Sequence, residues 1–371
     1  MTCKEILKYF ENWVPKEIAW QKDNVGLQVG LTEREIKNIL LCLEVTDETL
    51  DDAIKKNCNL IITHHPLLFS PLKKIDLHKD KISKLIEKII KNDITLYSAH
   101  TNLDFTKDGV SFELAKQLGL KEIDFLLESK SNQLKLVVYV PVDYVDKVAE
   151  VIFENGGGEI GEYSHCSFRT TGKGTFKGTE KSNPAIGKKG FEEEVDEVKL
   201  EVILDSWKLK NILHAIFKVH PYEEVAYDVY PLENSNSKYG AGAAGILENP
   251  IAPKEFLKYV SEKLKLKNFR FVEGSKNQIS KVAVCGGAGT DLIKEAIASN
   301  ADAFITADIK YHTFQDAAGE ILLIDAGHYE TEIYSLNEVH RRLEAYIGKA
   351  NSEIKVFKYN GSTNPIIFYN N

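Results

Sequence analysis

The feature that most constrains this chain is an internal echo. Residues 37–63, KNILLCLEVTDETLDDAIKKNCNLIIT, have a counterpart in residues 280–306, SKVAVCGGAGTDLIKEAIASNADAFIT. Both read as strand, turn, acidic helix start, helix, polar turn and a second strand ending in Ile-Thr. A repeated supersecondary unit must bury its apolar faces against neighbours. The strands are continuous apolar runs, the pattern of a sheet covered on both faces. Asp47 and the pair Thr290-Asp291 stand where helix N-caps are expected. After the Thr, the first copy continues with His64-His65-Pro66 and the second with Ala307-Asp308-Ile309. Each then runs through a helical stretch into a short strand, ITLYSAHTNLD at 94–104 and ILLIDAGHYETE at 321–332. The expected class is α/β, with two related α/β halves forming one core.

Between the halves the pattern changes. Residues 135–140 (KLVVYV) predict a strand, and 143–155 a helix stopped by Gly156-Gly157-Gly158. Thr/Gly/Phe alternation over 167–178 predicts a β-hairpin. A strand at 197–204, a helix at 206–218 and a strand at 224–231 follow. This βαβ-βαβ order over roughly 100 residues is a ferredoxin-like α+β pattern. The stretch GKGTFKGTEKSNPAIGKKGFEEEVDE reads as the most loop-like in the chain, and SNSKYGAGAAGILENP as the return to the core. The expected domains are core half one over 1–130, an insert over 131–236 and core half two over 237–371, so the core is discontinuous.

A length of 371 residues suits two or three domains. Against 47 Lys and Arg stand 55 Asp and Glu, a net charge of −8 that disfavours general nucleic-acid binding. The cysteines Cys3, Cys42, Cys58, Cys166 and Cys285 are widely spaced and form no CxxC pair. This argues against a disulfide framework and a thiolate zinc finger, and for a cytoplasmic protein. No leader-like apolar segment opens the chain, and no apolar run approaches ~18 residues, so neither a signal peptide nor a membrane span is expected.

Chemistry-bearing residues gather at the predicted strand ends, where open α/β sheets place ligands. His64 and His65 close the strand NLIIT. There the chain can turn both rings into one cavity, with Pro66 setting the next turn. Neutral imidazoles are common ligands for Zn, Fe, Mn, Co and Ni. The plainer alternative is two polar residues capping a strand. His328-x-x-x-Glu332 places an imidazole and a carboxylate on one helical face, able to grip one divalent ion. Its alternative is an ordinary first-turn carboxylate favoured by the helix dipole. His100-x-x-x-Asp104 holds the matching position in the first half, or is a polar turn in which Asp104 caps the next helix. Their coincidence at equivalent strand ends suits two bridged divalent ions better than one structural zinc. Such a pair could carry a hydroxide to a phosphate or an activated C–N bond.

Other candidates are weaker. Asp308 matches His65 in the repeat and is expected to line the same cavity or cap its strand. Glu44 could supply outer hydrogen bonds, and His312 could lie on the surface. Cys285-Gly286-Gly287-Ala288-Gly289 lacks both GxGxxG order and a following Lys-Ser/Thr. It reads as a tight strand-to-helix turn whose amides could face an anion. His220-Pro221-Tyr222-Glu223-Glu224 reads as a turn or an interface in the insert.

Together, Ile62-Thr-His-His-Pro-Leu-Leu-Phe69, Ala99-His-Thr-Asn-Leu-Asp104, Cys285-Gly-Gly-Ala-Gly-Thr290 and Asp325-Ala-Gly-His-Tyr-Glu-Thr-Glu332 resemble the Nif-three-like family, whose members carry the label GTP cyclohydrolase I type 2 homologue. The likeness extends to Asp23-Asn-Val-Gly-Leu-Gln-Val-Gly30 and Thr306-Ala-Asp-Ile-Lys-Tyr-His312. The middle segment is similar to the PII/CutA-like insert of the long bacterial members. The resemblance implies a dinuclear centre of two divalent ions per chain (Zn, Fe, Mn, Ni or Co) with His64, His65, Asp104, His328 and Glu332 as ligands. His100 would lie beside them as a proton-transfer group; from its place in the repeat, Asp308 is expected to join it in the catalytic set. The resemblance also implies a homohexamer of two stacked trimers, metal sites lining an inner cavity and inserts capping the ends. Two departures are visible: Glu44 stands where the family usually has Asp, and Gln21-Lys22 separates Trp20 from Asp23.

The function expected is a metal-dependent hydrolase acting on a nucleotide-like substrate through a metal-activated water, in the manner of a GTP cyclohydrolase. The alternative is a metal-binding, ring-forming regulatory or interaction protein without robust catalysis. A DNA-encircling ring is disfavoured by the −8 charge.

Overall fold

A computed structural model describes residues 1–350 and 352–369. The chain divides into two compact units, Met1–Leu127 with Tyr239–Asn371, and Glu128–Lys238. Its strands are β1 (Gly26–Val29), β2 (Asn38–Cys42), β3 (Leu60–Thr63), β4 (Thr95–Ser98), β5 (Lys121–Ser129), β6 (Gln133–Pro141), β7 (Phe168–Lys177), β8 (Glu192–Asp205), β9 (Tyr227–Pro231), β10 (Asn236–Ile251), β11 (Arg270–Val272), β12 (Ile279–Val284), β13 (Ala303–Thr306), β14 (Leu322–Asp325) and β15 (Lys355–Lys358). The result is a mixed α/β fold with several sheets, as the apolar runs and amphipathic stretches require.

The echo in the sequence is an echo in the first unit. One sheet runs β1-β4-β3-β2-β15 and the other β11-β14-β13-β12-β10-β5. In each, three parallel strands (β2, β3, β4 and β12, β13, β14) carry an antiparallel strand on the same edge, β1 on β4 and β11 on β14. All residues of β3, β4, β13 and β14 are buried. Helices cover both faces. On the first sheet, Cys3–Trp13 and Ser335–Lys349 contribute Ile6, Phe10, Val339 and Leu343 to one core, and Asp47–Lys55 and Lys81–Lys91 contribute Leu50, Ala53, Leu85 and Ile89 to the opposite one.

The two halves exchange segments. After β14 the chain returns to the first sheet, where β15 pairs in parallel with β2. In the other direction, the helix Val110–Gln117 sends Phe112, Leu114 and Ala115 into the core of the second sheet, beside Phe256 and Val282. An amphipathic helix announces which face it buries but not against which sheet, so this crossing carries no local signature. It ties both sheets into one unit and brings their strand ends together.

In the second unit, β6, a helix (Val145–Glu154), β7, β8, a helix (Leu209–Val219) and β9 form an antiparallel sheet ordered β7-β8-β6-β9. Val148, Ile152, Ile212 and Ile216 from the two helices pack on Leu136, Val138, Leu200 and Val202. The hairpin expected within 167–178 is instead one continuous strand, β7, whose partner is β8. Gly172 and Gly174 sit in the ladder rather than at a turn. The connection runs through 178–191, so the segment read as a loop is strand at both ends. His220 is buried at the end of its helix; its Nε2–H donates to the Tyr139 carbonyl at 3.1 Å, and its Nδ1 accepts from the Tyr222 amide at 3.2 Å. One nitrogen ties the turn to β6 and the other bonds within the turn. Among the described residues no helix is long and apolar enough to cross a membrane.

Candidate metal centre

Three chain segments from the ends of parallel strands meet in the first unit. β3 ends at Thr63, and the next two amides still bond along the neighbouring chain, His64 N–H to the Cys42 carbonyl and His65 N–H to the Leu43 carbonyl. The strand thus delivers both rings to one place, with ring centroids 4.8 Å apart. β4 ends two residues before His100, which precedes the short helix Thr101–Asp104. β14 leads through Gly327, at φ 90°, into the helix His328–Glu332. The i, i+4 spacing brings His328 Nε2 to 2.9 Å from Glu332 Oε1.

Glu332 lies at the middle. Its Oε1 is also 3.5 Å from His64 Nε2, and its Oε2 is 3.1 Å from His65 Nε2. Asp104 Oδ1 is 3.6 Å from His64 Nε2. Each ring is held from behind. His64 Nδ1 pairs with the Ala99 carbonyl at 2.9 Å, His65 Nδ1 with Glu44 at 3.0 Å, His100 Nδ1 with Asp23 at 2.9 Å and His328 Nδ1 with Asp308 at 2.7 Å. This outward pairing through Nδ1 leaves Nε2 as the lone-pair nitrogen facing inward, the arrangement that orients metal-ligating histidines.

The geometry fits a cation. His65 Nε2 and His328 Nε2 are 3.3 Å apart. With both Nδ1 atoms donating, neutral rings have no proton to place between those nitrogens. His64 Nε2, Asp104 Oδ1 and Glu332 Oε2 are buried, and none has a hydrogen-bond partner among the described residues. The 3.1 Å approach of His65 to Glu332 Oε2 is a charge contact without hydrogen-bond alignment. Buried polar atoms left unpaired are costly unless something else satisfies them. Nitrogen and carboxylate donors at this spacing suit a divalent first-row metal. Two overlapping groups, His64-His65-His100 and His65-His328-Glu332, have donor atoms close enough to hold one.

The charges of the cluster shift one another strongly. Burial opposes charge on Glu332, but the His64, His328 and His65 rings outweigh it and hold the carboxyl well below its usual range. Burial pushes Asp104 up to about 7, against the pull of His64. Burial also opposes charge on His65, but Glu332 and Glu44 outweigh it and raise the ring to about 10. The Glu332 hydrogen bond raises His328 to about 9. Burial and the neighbouring His64 lower His100.

His64, His65, Asp104, His328 and Glu332 thus come together, with His100 beside them at ring distances of 5.3 Å from His64 and 5.4 Å from His65. Asp308 is placed differently from the cavity-lining role expected of it. It stands behind His328, with its backbone at φ 56° aiming the carboxylate at Nδ1. His312 is exposed and contacts Gln315. Three amides of the glycine turn are already bonded within the protein. Gly286 N–H donates to Ser111, Gly287 N–H to Thr331 and Gly289 N–H to Thr306. What the turn supplies is space. Gly287 has φ +61°, and a Cβ there would lie 2.4 Å from Glu332 Oε1. Asp23 was not among the site candidates. Its carboxylate accepts from His100 Nδ1, the Thr101 amide and the Thr101 hydroxyl, the last at 2.6 Å. The available signal was its place in the DNVG stretch, which names no partner.

Comparison with known proteins gives the chain relatives over nearly its whole length. The family model described as Duf34/NIF3 (NGG1p interacting factor 3) matches residues 1–365. A Bacillus subtilis protein named GTP cyclohydrolase 1 type 2 homolog is 39% identical over 367 residues, covering 98% of each chain. The crystal structure of a Bacillus cereus protein related to NIF3 has a TM-score of 0.86 at 36% identity, covering 100% of this chain and 99% of that one. A Staphylococcus aureus crystal structure has a TM-score of 0.79 at 30% identity, with 100% and 99% coverage.

Proposed function

The chain belongs to the Duf34/NIF3 family, and from that premise we propose a metal-dependent hydrolase acting on a nucleotide-like substrate, with GTP the first to test. The observation that carries the reading is the set of inward-facing Nε2 atoms around Glu332, with three buried donor atoms left unpaired. His64, His65, Asp104, His328 and Glu332 would hold two divalent ions, since five converging donors exceed what one ion with an open position needs. Bound divalent cations supply Lewis acidity and a water acidified to near neutrality. The chain's own residues do the rest. Glu44 and Asp308 fix the tautomers of His65 and His328. Asp23 holds His100 Nδ1, so Nε2 is the atom that would take a proton from, or return it to, the reacting centre.

We further propose a ferredoxin-like second unit, supported by its βαββαβ order and the strand order β7-β8-β6-β9, a homohexamer of stacked trimers, and a cytoplasmic location. The test of function is elemental analysis with GTP turnover on the same samples. About two ions per chain, lost together with turnover in His65→Ala and Glu332→Ala, is the expected result. Two ions without turnover would move the assignment to a metal-binding regulatory protein. Absence of metal after reconstitution would remove both readings.

A further inference from the structure

The second unit contains a cavity of about 620 Å³ between the end of β7, β8, the loop after β7 and the turn at Tyr222. It shares no residue with the metal centre and is independent of it. The volume falls in the range, roughly 300–1,000 Å³, of small-molecule sites.

Its floor carries a buried charge. Glu197, on β8, is 9% exposed. Its Oε1 accepts from the Tyr222 hydroxyl at 2.8 Å, and Oε2 meets no donor among the described residues. Oε2 is not among the fully buried atoms, so it opens into the cavity and can take a further donor there. The fold clears space for it. Gly174 is its diagonal neighbour on β7, and a Cβ there would stand 2.1 Å from Oε2. Tyr222 is aimed by the His220 turn, through its own amide on His220 Nδ1. Phe176 packs edge-on against Tyr222 at 5.8 Å, which gives the cavity an aromatic wall. The loop over the cavity is tied down where the Asn183 amide donates to Glu223 Oε1 at 2.7 Å. Lys177 and Lys181 line the same space and enter no ion pair among the described residues.

The lining also carries Glu223 and Glu224, so carboxylates and two unpaired lysines stand around the aromatic wall and suit a ligand that bears both charges. We propose that this cavity binds a small zwitterion with an aromatic body, of the amino-acid class, whose ammonium pairs with Glu197 and whose carboxylate reaches Lys177 and Lys181. The aromatic pair adds face and edge contacts to the ligand ring and cation–π attraction to its ammonium.

The test is titration calorimetry on the full-length protein with three probes: L-phenylalanine, phenethylamine, which lacks the carboxylate, and 3-phenylpropionate, which lacks the amine. L-Phenylalanine is expected to bind about tenfold or more tighter than either half-ligand, because charge-assisted pairs form at both ends. In Glu197→Gln the advantage over 3-phenylpropionate should vanish. In Lys181→Ala the advantage over phenethylamine should shrink. No saturable binding of L-phenylalanine, or half-ligands that bind as well as the whole, overturns the proposal. So does an affinity unchanged by both variants. If Glu197→Gln fails to fold, the half-ligand comparison in the unmodified protein and Lys181→Ala, in the exposed loop, still decide.

Discussion

Replacing Gly287 by Ala tests the metal centre through one methyl group. Two effects separate. The first is backbone: φ of +61° costs a non-glycine residue about 1–2 kcal/mol, partly offset by the stiffer unfolded chain. The second is the collision. The new Cβ would lie 2.4 Å from Glu332 Oε1, so the carboxylate must retreat by about 1 Å to reach ordinary contact at 3.4 Å. Metal–ligand bonds tolerate only about 0.2 Å. Loss of an orienting group costs roughly 10–100-fold in affinity, so displacing a central ligand should cost about 100-fold or more. Gly319→Ala is the control: it has φ +78° and nothing within 4 Å, so it carries the backbone cost alone.

The assay is thermal unfolding with and without a fixed free concentration of Zn²⁺ or Mn²⁺. At 100 times the dissociation constant a bound metal stabilises by about 2.7 kcal/mol; a 100-fold weaker site at the same concentration retains about 0.4 kcal/mol. At roughly 2–4 °C per kcal/mol, the metal-induced shift should fall from about 5–10 °C to about 1–2 °C. Gly319→Ala should keep the full shift on a slightly lower baseline. A Gly287→Ala protein with the full shift would refute the idea that Glu332 is a ligand held in place by the space at position 287.

Three further outcomes follow from other parts of the molecule. The Thr363 hydroxyl donates to Glu44 Oε2, while Glu44 Oε1 holds His65, and Asn364 reaches Glu330 at 2.9 Å; Thr363→Val should therefore weaken metal binding about 10-fold in a chelator-competition titration without loss of fold. Burial opposes charge on Glu338, but Arg341 and Arg342 outweigh it and lower its pKa. Its stabilisation is present above the unfolded carboxyl value and lost as pH falls through the folded one. Glu338→Gln should thus cost about 1–2 kcal/mol in denaturant unfolding at pH 7 and progressively less below about pH 4. Burial pushes the Cys3 thiol up to about 11 and Cys58 up to about 12, so timed alkylation at pH 8 followed by mass spectrometry should label Cys166, which is partly exposed, well before either.

Much of the architecture was readable because it is written in local pattern. Continuous apolar runs marked β2, β3, β12, β13 and β14, and the repeat declared that they belong to two copies of one unit. The i, i+4 spacing of His328 and Glu332 is a property of one helical turn and needs no tertiary information. Alternation at 167–178 correctly marked strand but not its partner, because period-2 patterning says which face is buried and not which strand pairs with it. The continuous β7 was therefore missed as such.

The chain alone therefore determined the α/β halves, their strand ends and the residue types that cluster there. Only the tertiary structure decided that His65 and His328, 263 residues apart in sequence, meet at 3.3 Å. It also decided that Asp23, Glu44 and Asp308 each stand behind a ring, that three glycine-turn amides are already bonded, and that β15 joins the edge of the first sheet. The reason is physical. Periodicity and spacing encode how a segment folds and which face it hides, whereas convergence depends on which surfaces pack together, and apolar surfaces attract by area rather than by identity.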